Sequence, residues 1–373
     1  MRKMPRMRDW VLFTESSPNV GGQELQLMQQ MRLLGERGFR PVLACRPQTR
    51  VMEVARQRGL EVLPLRFRNS LHMPSILALS AWMRRHRPRL AICHSGHDSN
   101  NLAIAARLMG RDRPFLLRSR TYQPGQASAW SYNQLMDATM LPSAYLKRCL
   151  LENPAILPEK LHVVYPGIDF DALDQAASLP LSAELEQWLS RSSGPLLVQA
   201  AMLRGEKGHR TVLAALDLLR DKWPDARYLI AGEGPEQQAI TELARSLGLQ
   251  DRVLLAGVVS PVAALLARAD LVLMPSSYEP LGMSQIEALG LGVPVIASDT
   301  GGIPETMSHG ETGMLAPPGD APAWASAIDL ALSQPAMMKI WAQAGRADVR
   351  SRFAPEQNLR RILELSGMSA PGM

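Results

Sequence analysis

Short runs that are apolar at nearly every position, each followed by a loop and a helix-length stretch, recur along this chain and limit its fold more than any other feature. Residues 9–15 (DWVLFTE) form the first run. The turn-forming SSPNVGG follows, then a helical pattern over residues 23–36 closed by Gly38, then a strand-like run at 40–44. Two strands joined through a helix run parallel, because so long a crossover brings the chain back in its original direction. Further apolar runs at 89–93, 115–117, 139–141 and 161–165 alternate with helical stretches, so the first half predicts a doubly wound α/β domain. The second half repeats the scheme, with strands predicted at 196–200, 227–231, 252–256, 271–274 and 294–297 and helices at 210–223 and 236–247 between them. Two Rossmann-like domains in series are expected, at residues 1–175 and 176–345. The Pro-, Gly- and Asp-rich stretch 166–181 serves as linker. Helices over 346–373, the last at 355–365, are placed to cross back to the first domain.

Length agrees, since 373 residues exceed what one core normally serves. With 46% hydrophobic and 20% charged residues the chain reads as globular throughout. Cys45, Cys93 and Cys149 are widely spaced and odd in number, which points to no disulfide framework and no zinc site. The charged start is followed only by Val11, Leu12 and Phe13, too short for a signal peptide's apolar region, and no run approaches the length of a membrane span. A cytoplasmic protein is expected. Its net charge of +6 is uneven: residues 1–175 hold 25 Lys and Arg against 14 Asp and Glu, the remainder 16 against 21. Basic clusters stand at Arg2, Lys3, Arg6 and Arg8, at Arg84, Arg85, Arg87 and Arg89, and at Arg111, Arg113, Arg118 and Arg120. They read as a solvated face or as a contact for anionic lipid headgroups or a phosphorylated acceptor.

The most informative stretch is SSYEPLGMSQIEALGLGVPVIASDTGGIPE, with Glu279 after a strand, Pro280 at an expected helix start, and Glu287 eight positions on. Eight residues of helix rise about 12 Å, too far for the carboxylate pair of a retaining glycosidase and suited to an elongated ligand. Leu281 and Gly282, in the expected first turn, would offer free N–H groups and a positive dipole end to a phosphate. A carboxylate deeper along the helix can accept both hydrogens of a ribose diol.

The spacing of Glu279 and Glu287, followed by GVPVIASDTGGIPE and HGETGMLAPPGD, resembles the donor site of retaining GT-B glycosyltransferases of family 4. The segments PNVGGQE, LHVVYPGIDFDAL, LRGEKGH and LIAGEGPEQ match the family in the right order along the whole chain. The resemblance implies a GT-B fold with two Rossmann-like domains facing across a cleft, the donor's base and ribose held by the second domain and the acceptor by the first. Glu287 resembles the ribose-binding carboxylate and Glu279 the one near the sugar hydroxyls. Gly21 and Gly22 match the glycine loop that lets backbone approach the diphosphate and sugar, with a plain turn as the competing reading. Lys207 matches the diphosphate-binding lysine. The family's usual arginine five positions earlier is Met202 here, which leaves Arg204 as the nearest second cation.

The stretch CHSGHDSNN resembles the segment that sets a polar group beside the transferred sugar. His94, His97 and Asp98 compete for that role, and helix capping by Ser95, Asp98 or Ser99 competes with all three. Asp169 and Asp171 form an Asp-x-Asp read as a turn and cap rather than a metal site, so no metal ligands and no cofactor are expected. Gly232 and Gly234 form a loop, not a nicotinamide fingerprint. The implied reaction is metal-independent, retaining transfer of a hexose-type sugar from a nucleoside diphosphate sugar, with a UDP-sugar as favoured donor. The expected acceptor is a saccharide or lipid-linked saccharide, as in lipopolysaccharide core or other cell-envelope glycan synthesis at the cytoplasmic face of the inner membrane. The alternatives are a catalytically silent nucleotide-sugar-binding subunit and a sugar-nucleotide epimerase of the same fold. No nucleic-acid partner is expected, since no recognition motif for one is visible.

Overall fold

Strands that are apolar at consecutive positions suit a sheet covered on both faces, and in the computed structural model of the chain they build two wholly parallel sheets. The structure describes residues 10–94, 96–122 and 127–369; Asp9, the basic residues Arg2, Lys3, Arg6 and Arg8, and the candidate cap Ser95 lie outside them. The chain divides into two compact units. One runs to Gly167 and resumes at Pro355, and the other is Ile168–Ala354.

The first unit carries β1 (Trp10–Glu15), β2 (Arg40–Cys45), β3 (Glu61–Pro64), β4 (Leu90–Cys93), β5 (Phe115–Ser119), β6 (Ala138–Leu141) and β7 (Leu161–Val163), in the order β3-β2-β1-β4-β5-β6-β7. The order reverses between β1 and β4, so the loops leaving their carboxyl ends turn opposite ways and open a crevice, the usual ligand position in such sheets. In β1, Val11, Leu12 and Phe13 are fully buried, and the helix Gly22–Glu36 covers one face with Leu27, Met31 and Leu34. β3 was not singled out in the sequence. It is an edge strand, partly exposed along its length, and lacks the solid apolar run of its neighbours.

The last helix, Pro355–Leu365, belongs to this unit. Its Leu359 and Ile362 are fully buried in the cluster that holds Val11, Phe13 and Met31, each contributing on the order of 2 kcal/mol. Asn358 fixes it further, donating to the Tyr165 carbonyl at 2.6 Å and accepting from Gln30 at 2.9 Å.

The second unit carries β8 (Leu196–Ala200), β9 (Arg227–Ala231), β10 (Val253–Leu255), β11 (Leu271–Met274), β12 (Val295–Ser298) and β13 (Met314–Ala316), ordered β10-β9-β8-β11-β12-β13, with its reversal between β8 and β11. β13 spans three residues before a Pro-Pro pair, too short to stand out as a run. Half of the predicted linker is helical instead. Asp169 caps Phe170–Ala177 by accepting from Ala172 N at 3.0 Å, and Phe170 is buried against Gly290, where a Cβ would meet its ring at 2.4 Å. The predicted helix at 210–223 is His209–Leu218 followed by turns up to Pro224.

Candidate functional site

In the second unit, the loops after β8 and β11 carry Lys207 and Glu279. Lys207 closes a single 3-10 turn, Gly205–Lys207, and the next residue sets its course. Gly208 has φ +69, and a Cβ on it would lie 1.9 Å from the Pro275 carbonyl oxygen, so the close approach of the two loops admits no other residue. A buried chain of hydrogen bonds holds the backbone: the Tyr228 hydroxyl donates to Gln199, whose amide donates to the Lys207 carbonyl at 2.7 Å. The loops are joined again by Ser277 N donating to the Glu206 carbonyl at 2.8 Å. Between them, Lys207 Nζ and Glu279 Oε2 form an ion pair at 2.5 Å, with side chains 20% and 12% exposed.

The structure corrects the helix start. Gly282 has φ +95, outside the right-handed helix, and is the N-cap of Met283–Gly290. Leu281 and Gly282 are therefore not in its first turn, whose free N–H groups belong to Met283, Ser284 and Gln285. Glu279 lies in the preceding loop, which is pressed against Gly301 and Gly302: Cβ atoms there would meet the Glu279 and Pro280 carbonyl oxygens at 2.2 and 2.1 Å. Only four residues separate Met283 from Glu287, about 6 Å of rise, so the 12 Å helical separation does not apply. Buried Gln285 ties the helix to its surroundings, donating to Leu281 O at 3.0 Å and Thr306 Oγ1 at 3.1 Å.

Glu287 is partly buried, and its carboxylate makes no hydrogen bond or ion pair among the described residues. Burial alone pushes it up to about 7. A carboxylate so placed lacks donors, and a pair of hydroxyls would supply them. Arg204 is half exposed and meets Glu206 only at 3.9 Å, and Met202 is half exposed. Gly232 and Gly234 pack their backbone onto Ala201 and Leu203, which makes that loop a brace for the Lys207 loop.

In the first unit, the loops after β1 and β4 place Gly21, Gly22, His94, His97 and Asp98 at the other reversal. Gly21 N donates to Glu24 Oε2 at 2.8 Å. At Gly22 neither φ nor crowding demands glycine, because a Cβ would project into open space. Asp98 is fully buried: Thr14 Oγ1 donates to it at 2.7 Å, Ser16 Oγ at 3.1 Å and His94 N at 3.2 Å. Burial, and next the Glu15 carboxylate, push it up to about 8 against those hydrogen bonds. His94, 3% exposed, stacks on Phe13, and its Nδ1 lies 3.2 Å from the Thr14 carbonyl, which can only accept. Nδ1 thus carries the proton, and burial lowers the ring's pKa below 6.5, which favours the neutral form. His97 is exposed, with Nδ1 3.0 Å from Ser70 Oγ. Sequence reasoning missed the supports Thr14, Glu15, Ser16, Gln199 and Tyr228. Polar residues inside otherwise apolar strands were the available signal.

Two family profiles match the chain, Glycosyltransferase Family 4 over residues 20–172 and Glycosyl transferases group 1 over residues 182–348. The chain belongs to the family 4 glycosyltransferases. Glycogen synthase of Mycobacterium tuberculosis is 28% identical over 285 residues, 75% of this chain, and the chain spans only 65% of that relative's length. A glycosyltransferase structure from Rickettsia africae superposes with TM-score 0.84 at 22% identity, covering 96% of this chain and 98% of that one. Anabaena Alr3699/HepE, determined in complex with UDP, gives TM-score 0.79 at 21% identity, covering 96% and 100%. Two parallel-sheet units matching these structures make the fold GT-B.

Proposed function

We propose that this family member is a retaining glycosyltransferase. It would move a hexose-type sugar from a nucleoside diphosphate, a UDP-sugar by preference, to a hydroxyl of a saccharide acceptor in lipopolysaccharide core or other cell-envelope glycan synthesis. The observation that carries the reading is the Lys207–Glu279 ion pair, set at the reversal of the second sheet beside a helix whose Glu287 lacks donors. A diphosphate competes for Lys207, sugar hydroxyls for Glu279, and a ribose diol for Glu287. As the diphosphate leaves it gains charge, so Lys207 stabilises the transition state more than the bound donor. Glu279 is engaged by a cation and acts as a hydroxyl ligand, not a nucleophile. Attack comes from the face the diphosphate leaves.

The second unit thus holds the donor, and the first the acceptor. Among residues 94, 97 and 98, His97 has the exposed ring able to meet an acceptor hydroxyl, while Asp98 acts through the strand end it holds. Positive charge on Lys207 and Arg204 takes the place of a metal, and activity should survive EDTA. The UDP held by the Anabaena protein supports a uridine donor.

The test is calorimetric titration with UDP. Glu287→Ala should weaken binding by about 2 to 3 kcal/mol, roughly 30- to 150-fold, as both ribose hydrogen bonds are lost. Unchanged affinity sinks the assignment. UDP released from a UDP-sugar only when acceptor is added separates transfer from epimerisation and from a silent subunit. A membrane contact through Arg84, Arg85, Arg87 and Arg89 belongs to the same proposal: all four are exposed, and none pairs with an acid among the described residues. Reversing their charge should weaken salt-sensitive binding to anionic vesicles by up to about 1 kcal/mol per residue; equal binding to neutral vesicles would reduce them to a solvated face.

A further inference from the structure

The basic cluster Arg111, Arg113, Arg118 and Arg120 is split by β5. Arg111 and Arg113 precede the strand, and Arg113 pairs with Asp137 at 2.5 Å. Arg118 and Arg120 sit at its carboxyl end, one strand along from the reversal at β4, and line a pocket of about 210 Å³ together with Gly96, Ser128, Ser131 and Tyr132. Arg118 is 5% exposed. Its Nη2 donates to the carbonyl and hydroxyl of Ser131, both at 2.9 Å, and its guanidinium lies 4.9 Å over the Tyr132 ring. Among the described residues its Nε has no partner, nor has the Nε of Arg120 or the hydroxyl of buried Tyr132. Among the described residues no acidic side chain lines the pocket, and neither arginine forms an ion pair. A buried guanidinium without a counter-charge is costly unless something anionic completes it. Gly96 adds the first turn of the helix Gly96–Arg107, with its positive dipole end.

We propose that this pocket is an oxyanion subsite of the first unit that takes the phosphate monoester of a phosphorylated saccharide acceptor. Two guanidinia match the two negative charges of a monoester. The donors around the pocket, two Nε–H groups, the Tyr132 hydroxyl, Ser128 and a helix terminus, exceed what the two oxygens of a carboxylate accept. The role as acceptor subsite rests on the function proposed above; the phosphate chemistry rests on the pocket.

The test uses the full chain with glucose 6-phosphate, glucose and UDP as probes, read by calorimetry and thermal shift. Glucose 6-phosphate should bind and raise the Tm, and glucose should not. Ser128→Asp, which sets a carboxylate at the exposed rim, and Arg120→Gln should each weaken glucose 6-phosphate binding at least tenfold while UDP affinity is unchanged. These two variants avoid the folding risk of replacing Arg118. The inference is overturned if glucose 6-phosphate binds no better than glucose, if both variants bind it like the wild type, or if UDP affinity falls with it, since the pocket would then belong to the donor. Failure of UDP to bind the wild type would undo the proposed function and leave the phosphate pocket standing. Phosphatidic acid vesicles distinguish the source: binding lost in Ser128→Asp assigns the phosphate to a lipid headgroup, and binding retained assigns it to a soluble saccharide.

Discussion

At the reversal of the first sheet, Glu15 and Asp98 are fully buried and His94 is 3% exposed. Asp98 takes hydrogen bonds from Thr14, Ser16 and His94, and Glu15 takes them from Ser17 N and Gln23. At the reversal of the second sheet, Lys207 and Glu279 are partly exposed and, among the described residues, hydrogen-bond through their side chains only to each other, while the Glu287 carboxylate has no partner. The topology is the same and the chemistry differs. A reversal whose ionisable groups are buried and satisfied fixes the ends of its strands. One whose groups stay partly exposed, and pair with each other or not at all, keeps them for a ligand. In the first unit, a group of unsatisfied buried atoms lies one strand away, around Arg118.

The largest break in this comparison should come from Asp98→Ala, which strands three donors in a site without solvent; a loss of about 3 to 5 kcal/mol in urea denaturation is expected. Asp98→Asn keeps an acceptor and should cost about half as much. If Asp98→Ala stays within about 1 kcal/mol of the wild type, the first reversal is not built as described. At the second reversal the balance is inverted. Lys207→Ala should change stability by less than about 1 kcal/mol, because the pair is partly exposed, yet lower turnover about 100-fold. A rise in donor KM alone would contradict a role in the departure of the diphosphate.

A pH series sharpens the contrast. Glu287 titrates near 7 in the folded chain against 4.5 ordinarily, so between those values the folded protein keeps a proton the unfolded chain has released. Stability from this group therefore falls as pH rises through 4.5 to 7. Glu287→Gln should equal the wild type below pH 4.5, gain on it through that window, and stay ahead by about 3 kcal/mol above pH 7. A constant offset across the range would place the burial penalty elsewhere. The smallest effect is expected at Arg204, half exposed and loosely paired: Arg204→Ala should leave the Tm unchanged and slow turnover about tenfold, a single exposed cation's share. No change in turnover would leave Lys207 as the sole cation facing the diphosphate.

How much of this was legible in the sequence varies by element. β8, β9 and β11 were predicted to the residue, because strands buried on both faces are apolar throughout, and the helix before β2 to within one residue. β3 and β13 escaped, one as an exposed edge and the other for its length. The start of the helix bearing Glu287 was misplaced because Pro280 suggested a beginning that the backbone at Gly282 forbids. Lys207, Glu279 and Glu287 were picked out by their motif, but neither the ion pair nor the isolation of Glu287 could be.

From the sequence alone came the periodicity that requires two parallel sheets and the motif that marks Lys207, Glu279 and Glu287. Each is a local property, written in the spacing of residues within one strand, loop or helix. The tertiary structure decided which ionisable groups are dry and which remain reachable. It buried Asp98 and exposed His97 one residue away, and it separated Arg113 from Arg118 by sending them to opposite ends of β5. Solvation depends on which strands become neighbours, and strand order is set by packing between segments distant in the chain, so no local pattern records it.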